Sequence, residues 1–238
     1  MSAPRLLPVH ECFHTWQGEG CHLGRSAYFI RLFGCPVNCA WCDAAGTWHP
    51  DYVPADIEKQ SPTALTKKAV ESAAEIVVIT GGEPAIHDLG PLTQALIEAG
   101  LPVHLETSGG FALRGNFDWV TVSPKAAAPP LPDVLARANE LKVIVEAPGS
   151  IETWLHRVGA HLKPECVVWL HPEWGQRETP AVLAAISTAV KQGVTLAERA
   201  QPLRPRAGWQ VHKLYRVDAL DPASRAPAPL GGDPERGY

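Results

Sequence analysis

Short apolar runs alternate along this chain with helix-compatible stretches, and almost every run ends in a polar or glycine-rich turn. The runs fall at 27–33, 75–79, 103–106, 119–122, 141–145 and 167–170, and helical patterns at 62–74, 89–98, from 151 onward and at 179–191. That rhythm predicts βα units around a mostly parallel sheet. Ser61 before Pro62 gives one helix an N-cap and a first-turn proline, and Gly100 stops the next. Residues 209–214 read as a closing strand. In parallel α/β folds ligands bind at the carboxyl ends of strands. The polar clusters at 80–83, 107–109, 123–125 and 171–173 follow strands and should converge on one site.

Composition narrows the class. Apolar residues make up 45% of 238, enough for a core and too many for a disordered chain. A net charge of −4 offers no basic field for nucleic acid. No run approaches the ~18–20 apolar residues of a membrane span, and the N-terminal residues lack the apolar stretch of a signal peptide. The expectation is a cytoplasmic protein whose six cysteines are thiols or metal ligands rather than disulfides. The catalytic domain is expected over 1–220. The Pro/Gly-rich tail 221–238 is expected to be poorly ordered.

Three cysteines fall within eight residues, Cys35-Pro36-Val37-Asn38-Cys39-Ala40-Trp41-Cys42. Three thiolates on one loop suit a soft metal centre. A structural zinc takes four ligands, usually as two pairs, and no second pair exists. A [4Fe–4S] cluster takes four cysteines, so three leave one iron open to a non-protein ligand. Spacing alone leaves cluster, zinc and unligated core cysteines all standing, with the open iron pointing first to the cluster. Cys12, Cys21 and Cys166 read as small buried hydrophobes.

With Trp41 inside the motif and Gly81-Gly82-Glu83-Pro84 at the next strand end, the chain resembles the radical S-adenosylmethionine (SAM) superfamily. That resemblance implies SAM chelating the open iron and Gly81, Gly82 and Glu83 holding its amino group. Glycines admit close backbone approach, and a carboxylate suits an ammonium. Further elements narrow the resemblance: Phe13-His14-Thr15-Trp16-Gln17-Gly18-Glu19-Gly20, Tyr28 to Cys35, Trp41-Cys42-Asp43, Glu106-Thr107-Ser108-Gly109, Val122-Ser123-Pro124-Lys125, Glu140-Leu141-Lys142 and Gln210-Val211-His212-Lys213. Over about residues 10–216 the chain resembles the 7-carboxy-7-deazaguanine synthase family.

The resemblance implies a partial, shortened (β/α) barrel, a homodimer, and an electron donor such as flavodoxin. It implies a carbon–nitrogen lyase that converts 6-carboxy-5,6,7,8-tetrahydropterin to 7-carboxy-7-deazaguanine, with loss of ammonia, in queuosine and other 7-deazapurine pathways. Arg31 would clamp the substrate carboxylate with its planar fork. Glu19 would accept from the amino-pyrimidine, and Trp16, Gln17, Gly18, Thr107 and His212 would complete the substrate site. His212 could also move a proton. Gly109, Ser123, Lys125, His171 and Glu173 would meet SAM.

Magnesium is a further implied cofactor, but where the family carries threonine after Cys-Asp this chain has Ala44, which offers a hard cation no oxygen. Asp43 and Thr47 are the remaining candidates. About 25 residues follow His212, where family members often end soon after. Two other readings compete: a radical SAM activase that makes a glycyl radical on a partner protein, and a non-enzymatic zinc-stabilised domain.

Overall fold

A computed structural model describes residues 6–215, 221–225 and 230. The N-terminal residues read for a signal peptide, 1–5, lie outside them, as do 226–229 and 231–238 of the tail.

Nine strands form one sheet in the order β3-β1-β2-β4-β5-β6-β7-β8-β9. They are β1 (Leu7–Trp16), β2 (Ser26–Leu32), β3 (Glu58–Gln60), β4 (Ile76–Gly81), β5 (Val103–Thr107), β6 (Trp119–Val122), β7 (Glu140–Val145), β8 (Val167–Pro172) and β9 (Arg206–Ala207). From β2 to β9 every neighbouring pair is parallel. β1 lies antiparallel to both β2 and β3. The helices are α1 (Pro62–Glu71), α2 (Gly90–Glu98), α3 (Pro132–Arg137), α4 (Ser150–Val158), α5 (Pro180–Gln192) and α6 (Val211–Tyr215). Ser61 Oγ accepts from Ala64 N at 3.2 Å and caps α1 as its sequence predicts, a bond worth about 1 kcal/mol.

Parallel strands covered by helices read as unbroken apolar runs, and β4 and β7 are buried along almost their whole length. Their two faces differ. Ile30, Leu32, Val77, Ile79, Leu105, Val122, Leu141 and Val143 pack with Leu65, Leu92, Leu96, Leu135 and Leu155 of the helices in one main core. Successive side chains of a strand point to opposite sides, so the intervening residues face away from the helices. That second face carries Ala27, Phe29 and Arg31 of β2 beside Ile76, Val78 and Thr80 of β4. Farther along it come Glu106 of β5 and Lys142 and Ile144 of β7, which line a cavity.

One expectation is corrected. Residues 209–214 are not a closing strand. The ladder ends at Gly208, whose N–H donates to Leu170 O at 2.9 Å, and the chain then turns into α6. The edge pairing to β8 is made by Arg206–Ala207 instead. The alternation of Trp209, Val211 and polar residues fits a strand or one helical turn equally well, and a tertiary contact decides: Val211 N donates to Gly18 O at 3.1 Å. The antiparallel strands β1 and β3 and the short helix α3 were also absent from the sequence reading, because polar and charged residues interrupt their apolar pattern. Tail residues 221–225 and 230 bond to β1 and to the cysteine loop.

Candidate functional site

The strand ends and the loop after β2 enclose a cavity of about 410 Å³, in the size range of small-molecule sites. Cys35, Cys39 and Cys42 line it together. They leave β2 through Gly34 and pass Asn38, both in the left-handed region, which bends the loop back over the sheet. The Gly81-Gly82-Glu83 turn lies against this loop. Gly82 N donates to Leu32 O at 3.1 Å and Glu83 N to Gly34 O at 2.9 Å. A Cβ on Gly82 would stand 2.5 Å from Gly34 O and 2.6 Å from Cys35 Cβ, so only glycine permits the approach.

Burial pushes all three thiols up, Cys42 to about 11, and the Lys125 ammonium opposes that at Cys35 and Cys39. A bound cationic centre would reverse the sign and hold them as thiolates. Among the described residues no three His, Cys, Asp or Glu side chains converge as one metal ion requires. A four-iron cluster offers each thiolate a different iron, so three cysteines spread around one cavity fit it and do not fit a lone tetrahedral zinc.

The same cavity holds a buried charge network. Glu19 is 8% exposed and lies against Lys142 Nζ, with Gln210 Nε2 donating to it at 3.1 Å and the His212 ring nitrogen Nδ1 standing 3.6 Å away. Lys142 also meets Glu106 Oε2 at 3.3 Å, and Gln17 Nε2 donates to Glu106 Oε1 at 2.9 Å. Burial pushes the Glu19 carboxyl up, but the Lys142 ammonium outweighs it and holds the acid well below the usual carboxylate range. Burial lowers Lys142 in turn, and Glu106 and Glu19 more than restore it, so it stays charged. The cavity therefore presents an ionised Glu19 at neutral pH. α6 approaches because residue 18 is glycine; a Cβ there would be 2.5 Å from His212 Cβ.

Arg31 stacks over Phe13, 5.8 Å from the ring centroid, and its Nε pairs with Glu11 Oε1 at 2.6 Å. Glu83 is used internally: Thr107 Oγ1 donates to it at 2.6 Å, Ser108 N at 2.7 Å and Ala85 N at 2.9 Å, and Ser108 Oγ also bonds to it. This latches the β4 turn to the β5 turn. Lys125 Nζ donates to Ser123 Oγ at 2.7 Å and lies 5.2 Å from the Trp41 ring centroid.

Of the residues singled out by sequence, Trp16, Gln17, Gly18, Glu19, Arg31, Asp43, Gly81, Gly82, Glu83, Thr107, Ser123, Lys125 and His212 line the cavity with the three cysteines. Gly109, Thr47, His171 and Glu173 are not in its lining. Gly109 is wedged against Val122 and Pro130. Glu173 caps its own turn by accepting from Gly175 N at 2.9 Å. His171 is fully buried beneath Gly208, and burial lowers it to about 4.

Magnesium does not fit the residues present. Thr47 is fully buried and donates to Ala44 O at 2.7 Å. Asp43 is engaged by Lys213 Nζ at 3.1 Å and Gln210 Nε2 at 3.4 Å. Sequence reasoning assigned no role to Glu106, Lys142, Gln210 or Lys213. The available signal for Lys142 was a charged residue inside an apolar strand, which demands a buried partner.

The radical SAM superfamily profile matches residues 29–150. A 7-carboxy-7-deazaguanine synthase of Synechocystis is 44% identical over 167 residues, covering 70% of this chain and 78% of that protein. One of Flavobacterium psychrophilum is 35% identical over 193 residues, covering 80% and 89%. The crystal structure of QueE from Escherichia coli matches with a TM-score of 0.70 and 34% identity, over 87% of this chain and 95% of that one. The α/β, mostly parallel architecture of the radical SAM type expected from sequence is the one found.

Proposed function

Because the chain belongs to the 7-carboxy-7-deazaguanine synthase family of the radical SAM superfamily, we propose that it converts 6-carboxy-5,6,7,8-tetrahydropterin to 7-carboxy-7-deazaguanine. Substrate and product differ by one ammonia, so the conversion is a carbon–nitrogen lyase reaction without net oxidation. The observation that carries the reading is one cavity shared by Cys35, Cys39 and Cys42, by Arg31, and by an ionised Glu19. Held there by Cys35, Cys39 and Cys42, a [4Fe–4S] cluster would, together with SAM, supply radical chemistry for hydrogen-atom abstraction from C6 of the pterin.

The chain's own residues then bind and orient. Glu19, kept ionised by Lys142, accepts from the amino-pyrimidine edge. Gln17 and Glu106 extend that polar wall. Arg31 meets the substrate carboxylate with a planar guanidinium, which point charges such as lysine do not imitate. His212, next to Glu19, is placed to hold or pass a proton. The apolar faces of Phe13, Phe29 and Ile144 help exclude water. The reading is drawn without protein-ligated magnesium. It includes a cytoplasmic setting, a small one-electron donor such as flavodoxin, and a dimer. Family membership weighs against the glycyl-radical activase and the zinc-stabilised domain.

The test is anaerobic turnover of cluster-reconstituted protein with dithionite, SAM and the carboxylated tetrahydropterin, following 7-carboxy-7-deazaguanine and 5′-deoxyadenosine by mass spectrometry. Deazaguanine product with SAM used catalytically is expected, lost in Cys39→Ala. 5′-Deoxyadenosine without that product would refute the substrate. Neither compound, from protein holding a full cluster, would refute the radical reading.

A further inference from the structure

Glu11 of β1 is held by partners from two parts of the chain far apart in sequence. Its Oε1 takes the 2.6 Å bond from Arg31 Nε. Its Oε2 accepts from the backbone N–H of Arg225 at 2.5 Å and from Ser224 Oγ at 3.3 Å. The acid is 9% exposed, so these contacts decide where it sits. The tail residues are themselves fastened to the edge of β1 beyond its pairing with β3, which covers only Leu7 to Val9. Arg225 Nε donates to His10 O at 2.6 Å and its Nη2 to Asp56 Oδ2 at 3.0 Å. Asp221 Oδ2 accepts from His14 N at 2.8 Å. His10 and His14 lie four apart, so their backbone groups share one strand edge, and the tail satisfies edge groups that β3 is too short to reach. Farther on, Leu230 N donates to Cys42 O at 2.8 Å.

We infer that the segment 221–225 positions Arg31 through Glu11, so that the carboxylate clamp of the cavity is completed from the far end of the chain. This rests on the reading of Arg31 as the group that meets the substrate carboxylate. A guanidinium binds a carboxylate well only when its plane is held. Phe13 holds one face of Arg31, and Glu11 holds its Nε side. Without the tail, Glu11 loses its donors on Oε2, and the hold it gives the Nε side of Arg31 loosens. Ser224 and Arg225 touch no reacting group; they are positioning residues that act through Glu11.

The experiment compares equilibrium binding of pterin-6-carboxylic acid and of pterin, which lacks the carboxylate, to anaerobic cluster-loaded protein. The proteins are the full chain, a chain ended after residue 220, Arg225→Ala, Arg31→Ala, and Arg31→Ala combined with Arg225→Ala. Iron per chain and KM against kcat are measured on each. The full chain is expected to prefer the carboxylated pterin. Both tail variants are expected to lose roughly tenfold of that preference, with pterin binding unchanged. KM is expected to rise with kcat unchanged. In the Arg31→Ala background Arg225→Ala should cost nothing more. Full preference in both tail variants, equal weakening of both ligands, or a further loss in the Arg31→Ala background would overturn the inference. Undiminished preference in Arg31→Ala itself would instead overturn the role given to Arg31.

Discussion

Replacing Lys142 with methionine removes the ammonium held between Glu19 and Glu106. At the 3.3 Å separation from Glu106, two unit charges in an effective dielectric of ~20 attract by about 5 kcal/mol. The contact with Glu19 is closer still. Desolvation of all three groups offsets much of this, so the pair is not a large net stabiliser. Breaking it is another matter, because Glu19 is then left buried without its ammonium. Lys142→Met should therefore cost about 3–5 kcal/mol of stability. Glu19→Gln should cost less, since Glu106 still pairs with the ammonium. The double variant should recover about 2–3 kcal/mol of the summed single costs. The assay is urea unfolding of all four proteins at equal cluster loading, so that the cluster's contribution cancels around the cycle. The pH dependence gives a second sign. In the parent, Glu19 lies below its unfolded value, so its contribution is present above the usual carboxylate range and is lost only below it. In Lys142→Met, burial without the ammonium raises Glu19 instead. Protonation on moving from pH 8 to pH 5 should then narrow the gap between the two proteins. Additive single costs, with a gap that stays constant across pH, would refute the electrostatic account.

Gly82→Ala should lose most of its bound iron while keeping the far-ultraviolet spectrum of the parent, because the new Cβ meets backbone at Gly34 and Cys35 Cβ rather than a flexible chain end. Iron per chain checks it. His171 is lowered from 6.5 to about 4 by burial, so the unfolded chain binds the extra proton between those values and stability falls as pH drops through that window. The shift corresponds to about 3 kcal/mol. His171→Leu should flatten that part of the stability–pH curve, measured by urea unfolding from pH 7 to pH 4. Arg31→Lys should raise KM for the carboxylated pterin roughly tenfold or more, since lysine keeps the charge and loses the fork; steady-state kinetics reads it.

Much of the site was legible because its chemistry is local in sequence. Cys35, Cys39 and Cys42 share one loop, and Gly81-Gly82-Glu83 one turn, so spacing groups them before any fold is known, and the family resemblance adds what each group would hold. The strands carrying them could be read because parallel strands buried on both faces are unbroken apolar runs. β1 and β3 could not be read that way, being interrupted by Glu11, His14 and Lys59. Gly109 and Glu173 follow strand ends as expected, yet their side of the turn points into local packing. Membership of a strand-end cluster does not fix which residues of that turn face the ligand.

The sequence by itself determined the three-cysteine loop, the βα order and the residue types available to the cavity. It did so because those properties depend on neighbours a few positions apart. Only the tertiary structure decided the charge states and the partners. Glu19 meets Lys142 across more than a hundred residues, Glu83 is committed to Thr107 and Ser108, and Glu11 joins Arg31 to the tail. A carboxylate's charge and aim are set by what lies within a few ångströms of it in space. Chain order does not specify that until the sheet has brought its distant strands together.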